Sequence, residues 1–248
     1  PGRTVEGRPT VTSTNLLLRQ RAEEVSPEGL VLAAGTQTAG KGRRDHSFFS
    51  PTDSGLYMSL LLRPDMAARE ALSLTTCAAA SVALAIEETA GVEAGIKWVN
   101  DVFCRGKKVF GILTEAALDL ETGGLQYAIV GIGVNLFPPE GGFPATLPEA
   151  GAVFDARPRG LEGRSQLAGR ILDHFFSFYP RLTEKPFFED YRKRSLVLGQ
   201  PITILERGKT RPAVALDLEP DFSLRVRESD GSLNLLTSGE VSIRQDTA

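Results

Sequence analysis

"GTQTAGKGRRDHSFFSP", residues 35–51, is the stretch on which the fold turns. Counted from Gly35 it nearly spells G-x-x-x-x-G-K-[ST], the loop with which many nucleotide hydrolases cradle phosphates. The eighth position is Gly42, so the hydroxyl that would hold Mg²⁺ is missing. Arg43, Arg44, Asp45 and His46 then follow where an amphipathic helix should open. Three readings compete: an altered phosphate loop, a nucleic-acid patch, or an anion site of another kind. Gly35, Gly40 and Gly42 let a ligand come close to main-chain N–H groups. Lys41, Arg43 and Arg44 add positive charge suited to carboxylate and phosphate together. A solvated basic surface loop is the plainer alternative for this segment taken alone.

The rest of the chain narrows the choice. With 248 residues, 42% of them hydrophobic and 24% charged, it has the composition of a globular protein with a substantial core. The net charge of −3 argues against duplex DNA or an anionic membrane as the main partner, since both favour basic surfaces. A basic loop on an acidic body fits a small anionic ligand better. Cys77 and Cys104 make neither a disulfide framework nor a zinc pattern, and His46 and His174 stand far apart. The start, "PGRTVEGRPT", lacks an apolar signal core. The longest apolar stretch, "CAAASVALAI" at 77–86, is too short to span a bilayer and runs into Glu87 and Glu88. A reducing cytoplasm is the expected compartment.

Outward from the loop, the pattern predicts an α+β body. Ser13 or Thr14 caps a helix reaching to about Glu24. "GLVLAAGT" (29–36) and "GLYMSLLLR" (55–63) read as strands on either side of the loop. Residues 67–91 read as a long buried helix closed by Gly91. Four strand candidates follow, "GIKWV", "DVFC", "KKVFGILTEAAL" and "LQYAIVGIGVNL", with turn signals at "CRGKK" and "ETGG". A Pro/Gly-rich connection runs from Phe137 to about Gly163, and helices are expected near 165–179 and 184–194. From Gly199 onward, short alternating strands broken by "RGK", "EPD" and "SDG" predict a small β-barrel or sandwich. The expected division is therefore 1–195 and 196–248.

Two further segments carry candidate chemistry. In "GIKWVNDVFCRGKKVFGILTEA" (95–116), Lys97 precedes the lone Trp98, Asn100-Asp101 marks a tight turn, and Gly111 interrupts an apolar strand. Taken alone, Lys97 reads as a solvated strand flank and Trp98 as a core residue rather than a cofactor platform. "VGIGVNL" (130–136) repeats the theme with Gly131 and Gly133. It lacks the third glycine and the following helix of a dinucleotide fingerprint, so that reading is rejected.

The ordered set "TSTN", "GTQTAGKGRR", "LYMSLLLRP", "KWVNDV", "KKVFGILTE", "GIGVNL" and "GEVSIR" resembles the biotin protein ligases, over about Thr10 to Arg244. The resemblance implies a mixed-sheet catalytic domain of the biotin/lipoate ligase type with a small C-terminal SH3-like β-barrel. It implies that biotin and ATP form biotinyl-5′-AMP, and that a lysine of the biotin carboxyl carrier protein of acetyl-CoA carboxylase takes the biotinyl group. Mg²⁺ would arrive with ATP. At matching positions, Ser13, Thr14 and Gln37 are implied to hold biotin's ureido head, and Asn15 completes that biotin-binding motif. Gly40, Lys41, Gly42 and Arg43 are implied to fold over its tail and the adenylate, and Gly111, Gly131 and Gly133 to wall the pocket. Lys97, with Arg43, is the implied electrostatic catalyst, and Lys41, Arg43, Arg44, Lys97, Asn100 and Asn135 the implied nucleotide contacts. The loop at 35–51 is then an adenylate-covering loop, flexible until ligand orders it. Arg207, Lys209 and Arg211 of the C-terminal module could meet an acidic carrier, or could simply be solvated turn charge.

Several positions depart from the family pattern. Lys41 stands for Arg, Asp45 for Gly, His46 for Arg, Val99 for Pro, Phe110 for a small residue and Phe48 for Trp. Lys is not an equivalent bidentate donor, Asp45 adds negative charge near phosphate, and His46 is only partly charged at neutral pH. They read as tuning of nucleotide affinity and pocket shape, because Lys97, Arg43 and Gln37 remain. About a dozen residues precede "TSTN", so no helix-turn-helix and no DNA partner are expected, while a homodimer is compatible with the family. A lipoate or octanoate ligase or transferase, and a biotin-binding protein without transfer activity, are the competing functions.

Overall fold

The computed structural model describes residues 3–43, 47–156, 162–206, 208–237 and 240–243. A seven-stranded sheet has the order β1-β2-β3-β7-β6-β5-β4, and a five-stranded antiparallel sheet the order β11-β10-β9-β8-β12. The first comprises β1 (Thr4–Val11), β2 (Leu30–Gln37), β3 (Gly55–Leu62), β4 (Gly95–Lys97), β5 (Asp101–Cys104), β6 (Lys107–Leu118) and β7 (Leu125–Asn135). Only the β1–β2 pair is parallel. The second comprises β8 (Pro201–Glu206), β9 (Lys209–Leu218), β10 (Leu224–Glu228), β11 (Leu233–Leu236) and β12 (Glu240–Ile243). The α+β expectation therefore holds, and among the described residues no helix lies between the Gly35–Gly42 loop and β3.

Alternation in the central strands divides the core. Met58, Leu60, Val130, Ile132 and Val134 face helix α2 (Leu72–Ala90), while Leu61, Tyr127 and Ile129 face helix α1 (Thr14–Glu23). The α2 side is continuous with the second sheet, since one buried cluster runs from Leu74 and Val130 through Trp98 and Tyr191 to Phe222 and Val226. Helix α2 stops at Gly91, whose φ of 64° is the left-handed conformation a C-terminal glycine supplies. The apolar stretch at 77–86 belongs to a longer segment, Ala68–Ala90, which by length and composition could cross a membrane. Here 67% of its most apolar window is buried inside the protein, as a core helix requires.

Three features differ from expectation. Strand β1 falls in the polar start and pairs with β2 as a sheet edge; it is exposed on both faces, so no apolar alternation marks it. Ser13 occupies the N-cap position of α1, yet its side chain makes no cap hydrogen bond. The helices expected near 165–179 and 184–194 are α3 (Glu162–Phe178) and the short α4 (Phe188–Lys193), joined by a 3₁₀ stretch at Tyr179–Glu184. The Pro/Gly-rich connection acts as a strap along the sheet: Lys108 N–H donates to Glu149 O at 2.7 Å, and Val153 N–H to Asn135 O at 2.9 Å.

Candidate functional site

The cavity begins where the α1 face of the sheet loses its side chains. Register aligns Gly111, Gly133 and Tyr57 across β6, β7 and β3, and Leu113, Gly131 and Ser59 in the next row. Three glycines thus open a floor beside the N-terminus of α1. They also admit two specific neighbours. A Cβ on Gly131 would lie 2.2 Å from Asn15 Oδ1, and one on Gly133 2.6 Å from the Phe48 ring. Phe48 lies over this floor, edge-on to the buried Tyr57 with ring centroids 6.4 Å apart.

The resulting cavity has a volume of about 340 Å³, within the range of small-molecule sites. Its lining gathers Ser13, Thr14, Asn15, Gln37, Lys41, Gly42, Arg43, Lys97, Asn100, Gly111, Gly131 and Gly133 from the residues singled out in the sequence. Gly40 and Asn135 are outside it. Gly40 is buried against the loop's own return: its carbonyl accepts the Phe48 N–H at 2.9 Å, and a Cβ there would meet Phe48 O and Ser50 Oγ at 2.6 Å. Asn135 ends β7 and lines a neighbouring cavity with Phe49, Phe110, Phe143 and the 146–150 strap. Arg44, Asp45, His46 and Arg207 lie outside the described residues, so neither the third loop cation nor two of the family departures is placed.

One end of the cavity is a buried polar network. Gln37 Oε1 accepts from Thr14 N–H at 2.9 Å and Thr14 Oγ1 at 3.1 Å, so Gln37 caps α1 in place of Ser13. Gln37 Nε2 donates to Ser50 Oγ at 3.1 Å. Ser59 Oγ lies 2.7 Å from Thr14 Oγ1 and 2.6 Å from Asn15 Oδ1. Asn15 Nδ2 donates to Leu113 O at 3.2 Å and to Glu115 Oε2 at 2.8 Å. Ser13, lacking a cap bond, lines the cavity beside them.

The other end is cationic. Arg43 Nη1 donates to Asn100 Oδ1 at 2.6 Å, Asn100 Nδ2 to Asp101 Oδ1 at 3.0 Å, and Lys108 Nζ pairs with Asp101 Oδ2 at 2.6 Å. Lys97 also lines the cavity, 4.0 Å from Glu149 and 5.5 Å from the Phe103 ring centroid. Lys108 was missed in the sequence, where it fell within the "CRGKK" turn signal. It lines both cavities, as do Ser47, Phe48 and Leu147. The second sheet adds Glu240 and Val241 to the first cavity. The turn bearing Lys97, Asn100 and Asp101 is fastened from behind. Trp98 Nε1–H donates to Phe222 O at 2.9 Å, and the Tyr191 hydroxyl to Val99 O at 3.1 Å. Burial pushes the Tyr191 phenol pKa up, which keeps it a donor. Among the described residues, no group of three or more His, Cys, Asp or Glu side chains gathers to hold a metal.

A glycine floor, a polar end and a cationic end define a site for a small ligand carrying a polar head and an acid group. Comparisons with known proteins give that class a family. Residues 7–135 match the model of the biotin/lipoate A/B protein ligase family. The bifunctional ligase/repressor BirA of Bacillus subtilis is 39% identical over 163 residues, which cover 66% of this chain and 46% of that protein's length. The biotin–[acetyl-CoA-carboxylase] ligase of Mycobacterium tuberculosis is 28% identical over 238 residues, covering 92% of this chain and 85% of that one. The biotin protein ligase of Aquifex aeolicus, solved in complex with biotin and ATP, superposes with a TM-score of 0.75 at 25% identity, covering 99% of this chain and all of that one. The chain belongs to the biotin/lipoate A/B protein ligase family.

Proposed function

We propose that this protein is an ATP-dependent biotin ligase, which makes biotinyl-5′-AMP and then passes biotin to a lysine of a biotin carboxyl carrier protein. The observation that carries the reading is a pair of adjoining cavities with a shared cation: a glycine-floored one with a polar end, and an aromatic-walled one, with Lys108 lining both. Biotin would lie in the first, its ureido head against Ser13, Thr14 and Gln37, and the nucleotide would reach into the second past Asn135. A polar, buried head site favours biotin over lipoate or octanoate, whose dithiolane or alkyl ends would leave those groups unpaired.

The chemistry is a meeting of two anions. A carboxylate oxygen of biotin attacks the α-phosphorus of ATP, forming a C–O–P bond while the bond to the β-phosphate oxygen breaks and pyrophosphate leaves. The neutral amine of the carrier lysine then attacks the biotinyl carbonyl, forming the amide as AMP departs with the electron pair; the amine's proton passes to solvent. No protein nucleophile is needed. The chain's task is to hold both acids in line and offset their repulsion. At ~4 Å a unit charge pair is worth about 4 kcal/mol at an effective dielectric near 20. Lys108, at the junction, is better placed than Lys97 to face the reacting carboxylate and α-phosphate together. Lys97, Lys41 and Arg43 would serve as flanking cations. Mg²⁺ would enter as part of the nucleotide substrate.

On this reading residues 1–195 bind both substrates, and residues 196–248 close the site through Glu240 and Val241. A cytoplasmic setting, acetyl-CoA carboxylase as the source of the carrier, and a homodimer through a sheet edge belong to the same proposal. Incubation with ATP and biotin, lipoate or octanoate in turn, with pyrophosphate release and carrier labelling as readouts, tests it. Release and transfer with biotin alone are expected. Release with lipoate alone would select the lipoate ligase instead, and tight biotin binding without release would select a non-catalytic binder.

A further inference from the structure

Glu115 touches neither cavity, yet it ends the hydrogen-bond network that shapes the head site. Its Oε2 accepts from Asn15 Nδ2 at 2.8 Å, and its other oxygen pairs with Arg19 on the next turn of α1. A carboxylate is acceptor-only, and so is the Leu113 carbonyl that takes the second Asn15 N–H at 3.2 Å. Together they fix the orientation of the Asn15 amide. Its nitrogen is saturated by protein, and its Oδ1 must face Ser59. With no amide hydrogen left to donate, Asn15 could meet a ureido group only as an acceptor, through the second lone pair of Oδ1.

The constraint passes one step further. Ser59 is fully buried and has a single hydroxyl proton, with Asn15 Oδ1 and Thr14 Oγ1 both within 2.7 Å. Thr14's own proton is taken inside the protein, by Gln37 Oε1 or by Ser59. Toward the cavity, Thr14 can then only accept. Gln37, whose Oε1 is held by the Thr14 N–H, keeps one amide hydrogen beyond its bond to Ser50. One acceptor and one donor side by side match a cyclic urea edge, which offers N–H next to C=O. We propose that Glu115, held by Arg19, is a positioning residue for ligand selection: it locks Asn15 and, through Ser59, keeps Thr14 an acceptor for a ligand N–H.

This inference rests on the biotin reading, and steady-state kinetics of biotin-dependent pyrophosphate release separate the two. Should wild-type protein release none, the biotin reading itself fails. If it does, Glu115→Ala is expected to raise KM for biotin roughly tenfold or more, with kcat and KM for ATP unchanged. Glu115→Gln, whose Oε1 can still accept from Asn15, is expected to restore KM toward wild type. Ser59→Ala, which cuts the link without touching Glu115, should reproduce the raised KM and carries the test if Glu115→Ala does not fold. An unchanged KM for biotin in Glu115→Ala or Ser59→Ala overturns the proposal. So does a fall in kcat in place of the KM effect, or a Glu115→Gln protein as impaired as the alanine variant.

Discussion

Lys108 and Lys97 lie eleven positions apart in sequence and line the same cavity, but their surroundings differ. Lys97 sits between the Phe103 ring and Glu149, whereas Lys108 is held on Asp101 where two cavities meet. A cation that acts only when the two acids meet should stabilise the transition state more than either bound substrate. Lys108→Ala is therefore expected to lower kcat for adenylate formation by about two powers of ten or more, and Lys97→Ala by distinctly less. Single-turnover pyrophosphate release measures both, and the opposite ranking would return the central role to Lys97. That difference could not be read from the sequence. Lys97 stands in a conspicuous "KWVND" turn, while the position of Lys108 depends on β6 pairing and on the strap that brings Glu149 to its N–H. The two thiols allow a separate test at this scale. Burial pushes Cys104 up to about 11, from an ordinary value of 9.0, and pushes Cys77 up further. A raised folded-state thiol pKa gives a contribution fully present below pH 9 and lost as the pH rises toward the folded value, because the unfolded chain ionises first. Stability measured by urea unfolding should fall across pH 9–11, and Cys104→Ala should flatten that slope. Neither thiol should react with an alkylating agent at neutral pH until the protein unfolds.

Strand β7 is the element that turns a sheet into a site. Tyr127 and Ile129 pack under α1, and the next two residues on the same face are Gly131 and Gly133. The three floor glycines are not equivalent. An added methyl on Gly111 would come 3.3 Å from the Phe48 ring, a contact a small shift relieves. On Gly133 it would come 2.6 Å from that ring, and on Gly131 2.2 Å from an Asn15 oxygen held in a network that has no slack. The expected order of lost biotin affinity is Gly131→Ala, then Gly133→Ala, then Gly111→Ala, with about a tenfold loss or more for the first. Calorimetric titration with biotin checks it, and equal losses at all three positions would show that the floor acts only through its volume. Much of this element was legible beforehand: the apolar run after the "ETGG" turn located β7, and glycines inside it marked close approach by another group. What occupied the space was not legible. Asn15 and Phe48 come from elements far away in sequence, and only the folded register sets them against β7. Strand β1 was hidden for the converse reason, since an edge strand exposed on both faces has no core to imprint a pattern.

At the scale of the whole molecule, the second sheet is a buttress as well as part of the cavity wall. Phe222 sits at the tip of the "EPDF" turn with φ of 67°, fully buried, its ring 5.4 Å from Phe187 and 5.3 Å from Tyr191. Its carbonyl takes the Trp98 N–H, and Tyr191 holds Val99, so the turn that presents Lys97, Asn100 and Asp101 is held from behind at two successive residues. The sequence marked this region only as a change to short strands near residue 195. It could not reveal that the core runs unbroken across that point, because the joint is made of single aromatic residues from separate turns. Continuity of the core predicts one unfolding event. Trp98, the chain's only tryptophan, lies at the joint, so its fluorescence and the far-UV circular dichroism of the whole chain should give superimposable urea transitions. Phe222→Ala should destabilise that single transition by about 3–5 kcal/mol, as buried aromatic truncations do. It should also reduce adenylate formation at urea concentrations where the variant is still folded, because the turn carrying Asn100 and Asp101 loses its backing. If the fluorescence transition preceded the dichroism transition in wild type, the second sheet would be an independent unit. A Phe222→Ala protein with full activity but lower stability would show that the turn holds its shape without that support.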